Sequence, residues 1–342
     1  MKASFKKHTF YFKRPSGTSR GVLTEKHSWF IELFEENNPS IKGSGECSII
    51  PGLSPDFVDF ESYETKLNEV CLNLEKFISN FDLLNEFPSI LFGLETALLD
   101  LQNGGKQIIF NNSFSSGDRR IPINGLIWMG DADFMQEQIE QKLEEGFSCL
   151  KMKIGAIDFE SELKILESIR NRFSSDKITL RVDANGAFPP SEALSKLERL
   201  SEFDIHSIEQ PIRQGQWAEM KQLCTETKVP IALDEELIGI TALEDRKNLL
   251  DTIQPQFIIL KPSLHGGITG CKEWISLAEE RSIPWWITSA LESNIGLNAV
   301  CQFTGEYANN LPQGLGTGGL YTNNIESNLT IENGEIYLKK HE

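Results

Sequence analysis

Over residues 1 to about 115, apolar and polar positions first alternate and then change period. Alternation at residues 5–12, 19–24 and 28–34, with Pro, Gly and charged residues between, predicts the strands of an antiparallel meander. Around residues 63–81 and 88–102 the apolar positions recur at helical spacing, most clearly from Phe92 to Leu101. From about Ile121 the rhythm becomes short apolar runs separated by amphipathic segments such as 131–145, 159–173 and 191–202. The runs predict strands near 123–128, 149–154, 178–184, 207–210, 230–234, 257–261 and 284–289, with a short eighth near 313–315. They are apolar throughout, as parallel strands become when helices cover them. Residues 329–338 predict a hairpin around Asn333-Gly334, returning to the first domain. The fold class is therefore α/β. An α+β capping domain spans 1–115 and is completed by the tail at about 320–342, and a TIM-like (β/α) barrel occupies 116–319.

The polar ends of five successive runs carry Lys153, Asp183, Glu209, Asp234 and Lys261, at intervals of 30, 26, 25 and 27 residues. That interval is the length of one strand-loop-helix-loop unit, and a barrel builds its active site from the C-terminal ends of its strands. Asp183, Glu209 and Asp234 are hard oxygen donors from adjacent strands, suited to Mg²⁺ with Mn²⁺ as a substitute. No His or Cys accompanies them, which argues against zinc. Asn185 and Glu235 are candidates to orient those ligands, and Asn185 is also a candidate substrate contact.

Residues two apart on a strand face the same way, so Lys151 joins Lys153, and Arg181 joins Asp183. The lysine pair reads either as solvated charges at a helix end or as buried amines. Burial and a neighbouring ammonium both lower a lysine's pKa, which would make Lys153 a base near neutrality. Arg181 reads as a bidentate anion contact or as a structural ion pair. Two lysines around carboxylates suit proton abstraction next to a substrate carboxylate, with Lys153 and Lys261 on opposite faces.

Bulk properties narrow the partners. A net charge of −17 argues against nucleic acid, and 39% hydrophobic residues suffice for a packed core. There is no apolar leader and no run long enough to span a membrane. Six cysteines without a CxxC pair fit structural thiols in a cytoplasmic protein. Oligomeric state is not legible.

As a set, Lys151-Met-Lys153, Asp183-Ala-Asn185, Glu209-Gln-Pro211, Asp234-Glu235 and Lys261-Pro262 resemble the enolase superfamily, in its muconate-lactonising-enzyme-like subgroup. The segments 181–185, 260–267, 289–296 and 313–318 most resemble its o-succinylbenzoate synthase family. The resemblance implies a (β/α)₇β barrel and a Mg²⁺-dependent carbon–oxygen lyase of menaquinone synthesis. The implied reaction dehydrates 2-succinyl-6-hydroxy-2,4-cyclohexadiene-1-carboxylate, a small anionic dicarboxylate, to 2-succinylbenzoate. In it Lys153 takes the α-proton and assists loss of the hydroxyl, Lys261 stays cationic, and Lys151 contacts the substrate carboxylate. Ser289 and the N–H groups of Gly314 and Gly316 are candidates for the succinyl tail; tight turns are the other reading of the glycines.

Rivals remain in N-succinylamino-acid racemase and dipeptide epimerase. The second usually carries Asp-x-Asp at the eighth strand, where this chain reads Gln313-Gly-Leu-Gly-Thr317. A more remote reading makes the glycine loops near Gly266 and Gly316 phosphate cradles of a non-lyase barrel. The Gly/Ser-rich stretch 14–21 reads as a lid or as an ordinary loop.

Overall fold

The structure, a computed structural model, describes residues 1–18 and 21–340. It opens with an antiparallel sheet of β1 (Lys2–Thr18), β2 (Gly21–Glu35) and β3 (Asn38–Ser48), paired in sequence order. The predicted strands at 19–24 and 28–34 belong to the single strand β2, apart from residues 19 and 20, which lie outside the described residues. The described flanks of the 14–21 stretch form a hairpin rather than an irregular loop, with Ser16 opposite Leu23. β3 escapes periodicity because Gly, Ser, Asn and Pro, all poor strand formers, fill it.

Those glycines have a packing reason. After α1 (Phe60–Leu72) and α2 (Leu74–Ser79), the helix α3 (Pro88–Gln102) lies directly on β3. A Cβ at Gly45 would fall 1.9 Å from the Gly93 carbonyl oxygen, so only glycine permits the approach. The expected helix at 63–81 is broken at Asn73, while α3 matches its predicted span.

The remainder curls into a barrel. β4 (Ile121–Pro122) and β5 (Gly125–Ile127) are followed by α4 (Ala132–Glu144), β6 (Cys149–Lys153), α5 (Phe159–Arg170) and β7 (Thr179–Asp183). Then come α6 (Pro190–Leu200), β8 (Ser207–Glu209), α7 (Trp217–Glu226), β9 (Ile231–Leu233) and α8 (Leu243–Ile253). β10 (Phe257–Leu260), α9 (Gly267–Glu280), β11 (Trp285–Ile287) and α10 (Asn294–Gly305) complete the alternation. β5 to β11 form one parallel sheet in sequence order. The eighth stave is two bridges long: Gln313 pairs with Ile123 and Gly314 with Thr288, joining the two sheet edges.

The tail divides its attachments. Residues 320–323 bond to β1, through Lys13 N–H to Leu320 O and Thr322 N–H to Tyr11 O. The hairpin β12 (Leu329–Glu332) and β13 (Glu335–Leu338) instead pairs with β4, beside the barrel. Its predicted return to the first domain therefore does not occur; Ile336, facing Ile121, finds its apolar partners in the barrel core.

Two buried carboxylates from the N-terminal region cap barrel helices. Glu46 of β3 accepts from Ser293 N–H and Oγ–H and from Gly296 N–H at the start of α10. Glu95 of α3 accepts from Ile268 N–H, Thr269 N–H and Thr269 Oγ–H at the start of α9. Both satisfy orphan donors and oppose the helix dipole. The α9 start, with Gly266 and Gly267, is thus filled by the chain's own carboxylate, which removes it as a phosphate cradle. Among the described residues no helix is long and apolar enough to cross a membrane. All six cysteines are free thiols.

Candidate active site

The predicted chemistry converges at the C-terminal ends of β6 to β11. Lys153, Asp183 and Glu209 are direct neighbours in register across β6, β7 and β8. Lys153 Nζ donates to Asp183 Oδ2 at 3.0 Å and to Asn185 Oδ1 at 2.7 Å. Asn185 sits in the left-handed region, φ 44°, which asparagine tolerates better than most residues. That turn aims its amide at Glu235 Oε1, 3.0 Å away, so Glu235 fixes which end of Asn185 meets Lys153.

Lys151, one layer below, is buried and bridges two carboxylates, Asp183 Oδ2 at 2.9 Å and Glu209 Oε2. Burial pulls its pKa down, but the two carboxylates outweigh burial and hold it above the ordinary lysine value. Lys261 pairs with Asp234 and is held high in the same way. Asp183 reverses the balance between carboxylates: burial alone would raise it, yet Lys151 and Lys153 hold it below the usual range. Glu209 is pushed up to about 8 by burial and by the charge of Asp183, against Lys151. Asp234 is also raised, burial outweighing Lys261.

Gln210, next to Glu209, positions Asp234 from behind. Its Oε1 accepts from Asp234 N–H and Glu236 N–H, and its amide donates to Glu236 Oε2. Its backbone is left-handed, φ 40°. Sequence reasoning quoted it in a motif without giving it a task.

Whether these residues suit a divalent metal is tested by their unpaired atoms. Glu209 Oε1 and Asp234 Oδ1 are buried without a hydrogen-bond partner, a costly arrangement for carboxylate oxygens. The donor set, three carboxylates from adjacent strand ends, is that of a hard cation. Among the described residues no three acids, imidazoles or thiols are gathered closely enough to grip an ion as they stand. The ammoniums of Lys151 and Lys261 lie against the carboxylates instead. The chemistry of the set fits, and the amines are its present counter-charge.

Above lies a cavity of about 110 Å³ that opens to solvent. Lys151, Lys153, Asp183, Asn185, Glu235 and Lys261 line it, with Ser289, Gly314, Gly316 and Thr317 on the wall. Leu126 and Trp128 from the β5 end and Leu23, Ile50 and Leu53 from the N-terminal region make much of it apolar. Sequence reasoning missed these last five. The one available signal was Ile49-Ile50-Pro51-Gly52-Leu53, a turn too apolar for an idle surface loop. A cluster joining Phe10, Phe12, Ile50, Leu264, Ala290, Leu291 and Tyr321 seats that region on the barrel mouth.

Three substrate-contact expectations change. Arg181 does not line the cavity: it is buried one layer down, donates to Pro312 O at 2.7 Å, and stacks with its guanidinium carbon 4.0 Å from the Trp286 ring centre. Among the described residues it forms no salt bridge, and the face it shares with Asp183 places it 2 residues, one strand layer, deeper. Gly314 N–H is consumed by Ile287 O, in closing the barrel. Ser289 lines the cavity, but its hydroxyl hydrogen goes to Glu292 Oε2 at 2.5 Å. His206 stacks on Phe257, and His265 Nδ1 accepts the Lys261 N–H. Trp285 and Trp286 belong to the core and do not line the cavity.

A closed parallel barrel with lysines and carboxylates at consecutive strand ends, under an α+β cap, has the architecture of (β/α)-barrel enzymes, whose active sites lie at that end of the barrel. The chain belongs to the enolase C-terminal domain-like family, whose model matches residues 134–341. It is 50% identical to the o-succinylbenzoate synthase of Desulfotalea psychrophila, over 98% of each chain. The crystal structure of MenC from D. psychrophila superposes with a TM-score of 0.86 at 47% identity, covering 98% of this chain and 99% of that one. A dipeptide epimerase from Enterococcus faecalis, solved with Mg and the dipeptide L-Leu-L-Tyr, shares the fold at 19% identity and TM-score 0.84, covering 99% and 97%.

Proposed function

We propose that the chain carries out the o-succinylbenzoate synthase reaction, dehydrating 2-succinyl-6-hydroxy-2,4-cyclohexadiene-1-carboxylate to 2-succinylbenzoate, as a cytoplasmic step of menaquinone synthesis. The observation that carries this reading is the pair of amines on one cavity, Lys153 on Asp183 and Asn185, and Lys261 on Asp234. The identity to the D. psychrophila synthase selects the reaction among those such a pair supports.

Asp183, Glu209 and Asp234 would hold Mg²⁺, which when bound supplies positive charge where the enediolate develops. Lys153, as a neutral amine, has two hydrogens and one lone pair. Asp183 and Asn185 take the hydrogens, so the lone pair is left to accept the proton next to the substrate carboxylate. The ammonium so formed gives that proton to the departing hydroxyl, which leaves as water while the ring gains its third double bond. Lys261 remains an ammonium, as Asp234 favours, and faces the developing negative charge. Lys151 is the counter-charge shared by Asp183 and Glu209. The apolar wall of Leu126, Trp128, Ile50 and Leu53 receives the ring and methylenes and excludes water.

The epimerase reading needs an acid for a substrate ammonium. The wall from Gly314 to Thr317 offers none, and the carboxylates that line the cavity, Asp183 and Glu235, are engaged with Lys153 and Asn185. A side-by-side assay of the dehydration and of N-succinylamino-acid racemisation tests the choice. The expected result is a far larger kcat/KM for dehydration; the reverse ranking would replace the proposal.

A further inference from the structure

We propose that His265 is a positioning residue for Lys261: its ring pins the backbone from which the Lys261 ammonium reaches the site. This rests on the role given to Lys261 in the dehydration above.

β10 ends at Leu260, whose carbonyl accepts from Thr288 N–H. Lys261 is the first residue past the strand, and its N–H needs an acceptor the sheet does not supply. His265 Nδ1 is that acceptor, at 2.8 Å, and both residues are buried. The Lys261 carbonyl is held from the same turn, by Leu264 N–H at 2.8 Å and His265 N–H at 3.0 Å. The peptide groups on both sides of the Lys261 Cα are therefore fixed by residues 264–265. What is left free is the side chain's own rotamers, and the ion pair with Asp234 selects among those.

The ring can do this in one form. A backbone N–H only donates, so Nδ1 must accept and the ring hydrogen sits on Nε2. Nε2 is buried without a partner among the described residues. It belongs to a ring beside a cavity of about 20 Å³, room for one water, lined also by Pro55, Pro88 and Arg246. Arg246 carries only donors and cannot receive the Nε2 hydrogen. An imidazole with half of its bonding unmet by the chain is an expensive way to fill a buried place. What it offers there, and an apolar side chain would not, is the Nδ1 acceptor.

The ring's own place is set from outside the site. A Cβ at Gly270 would fall 2.3 Å from the His265 carbonyl oxygen, so glycine lets the first turn of α9 close on this residue. The start of α9 is in turn held by Glu95 of the cap, through Ile268 and Thr269. Lys261 thus stands at one end of a short turn whose other end is fastened to the N-terminal region.

Three variants assayed on the cyclohexadiene acid test the assignment. His265→Leu removes the acceptor. His265→Asn places its amide oxygen near where Nδ1 stood, and His265→Gln carries its amide toward the Nε2 position instead. The leucine and glutamine variants should lose about tenfold in kcat, the worth of one hydrogen bond. Their KM should stay within about twofold of wild type, because Lys261 acts on charge that develops only in the transition state. His265→Asn should recover most of the lost kcat. Wild-type kcat in a folded leucine variant, a KM that rises as kcat falls, or an asparagine variant no better than leucine overturns the assignment. In the last case the packing of the ring would matter and its acceptor would not. Should the variants fail to fold by circular dichroism, nitrogen NMR of histidine-labelled wild type decides. The His265 ring should carry its hydrogen on Nε2 with Nδ1 hydrogen-bonded; a hydrogen on Nδ1 overturns the contact. Wild-type turnover of the cyclohexadiene acid tests the underlying reaction separately, before any variant is made.

Discussion

Lys153 Nζ stands 2.7 Å from Asn185 Oδ1, and the left-handed turn at Asn185 is what brings the two together. The contact orients the amine from a neighbouring strand without adding charge. Replacing Asn185 with leucine should therefore lower kcat by about 10–100-fold, as losing an orienting partner does, and lower Tm as well, because leucine is strained at φ 44° and leaves Glu235 Oε1 without its donor. A kcat within twofold of wild type would show that Asp183 alone orients Lys153.

Removing either amine should cost more. Lys153→Ala and Lys261→Ala are each expected to reduce kcat by about 10²–10⁴-fold, the span of general acid–base catalysis. Lys261→Ala also leaves Asp234 buried without its counter-ion, so circular dichroism has to accompany the kinetics. Turnover near wild type in a folded variant would remove that lysine from the reaction.

Much of this site was legible because each strand-end residue interrupts an apolar run at barrel spacing. A charge at the end of Leu180-Arg-Val-Asp183 has few explanations other than the mouth of a barrel. Arg181 shows the limit of that logic. Period two gives the face of a strand but not the depth, and depth separates a ligand contact from a guanidinium stacked on Trp286. The cap-to-barrel contacts were invisible for a different reason. Glu95 and Thr269 are 174 residues apart, and nothing local to either foretells a helix cap supplied from another part of the chain. β3 was lost because its glycines serve close packing on α3, which overrides strand propensity.

Metal dependence follows from the orphaned oxygens of Glu209 and Asp234. Treatment with EDTA should abolish dehydration, and Mg²⁺ or Mn²⁺ should restore it. Because a cation bound only by the folded chain stabilises it, Tm should rise with Mg²⁺ concentration in the wild type. Asp234→Asn should blunt that rise. Full activity in the stripped protein would exclude the ligand role of the three carboxylates.

Glu95 makes the seating of α3 on α9 sensitive to pH. Burial pushes its carboxyl from 4.5 up to about 7, against the hydrogen bonds of Thr269 and Ile268. The folded state therefore holds the proton more tightly than the unfolded chain. The contribution is fully present below about 4.5, declines as pH rises through about 7, and is flat beyond. At about 1.4 kcal/mol per pKa unit, the 4.5-to-7 displacement corresponds to at most about 3.5 kcal/mol. Glu95→Gln cannot ionise, so the stability of wild type relative to this variant should fall between pH 5 and pH 8. Urea unfolding of both proteins across that range measures the difference directly. A difference that does not vary with pH would mean that Glu95 is ionised throughout, with the start of α9 fully offsetting the cost of burying its charge.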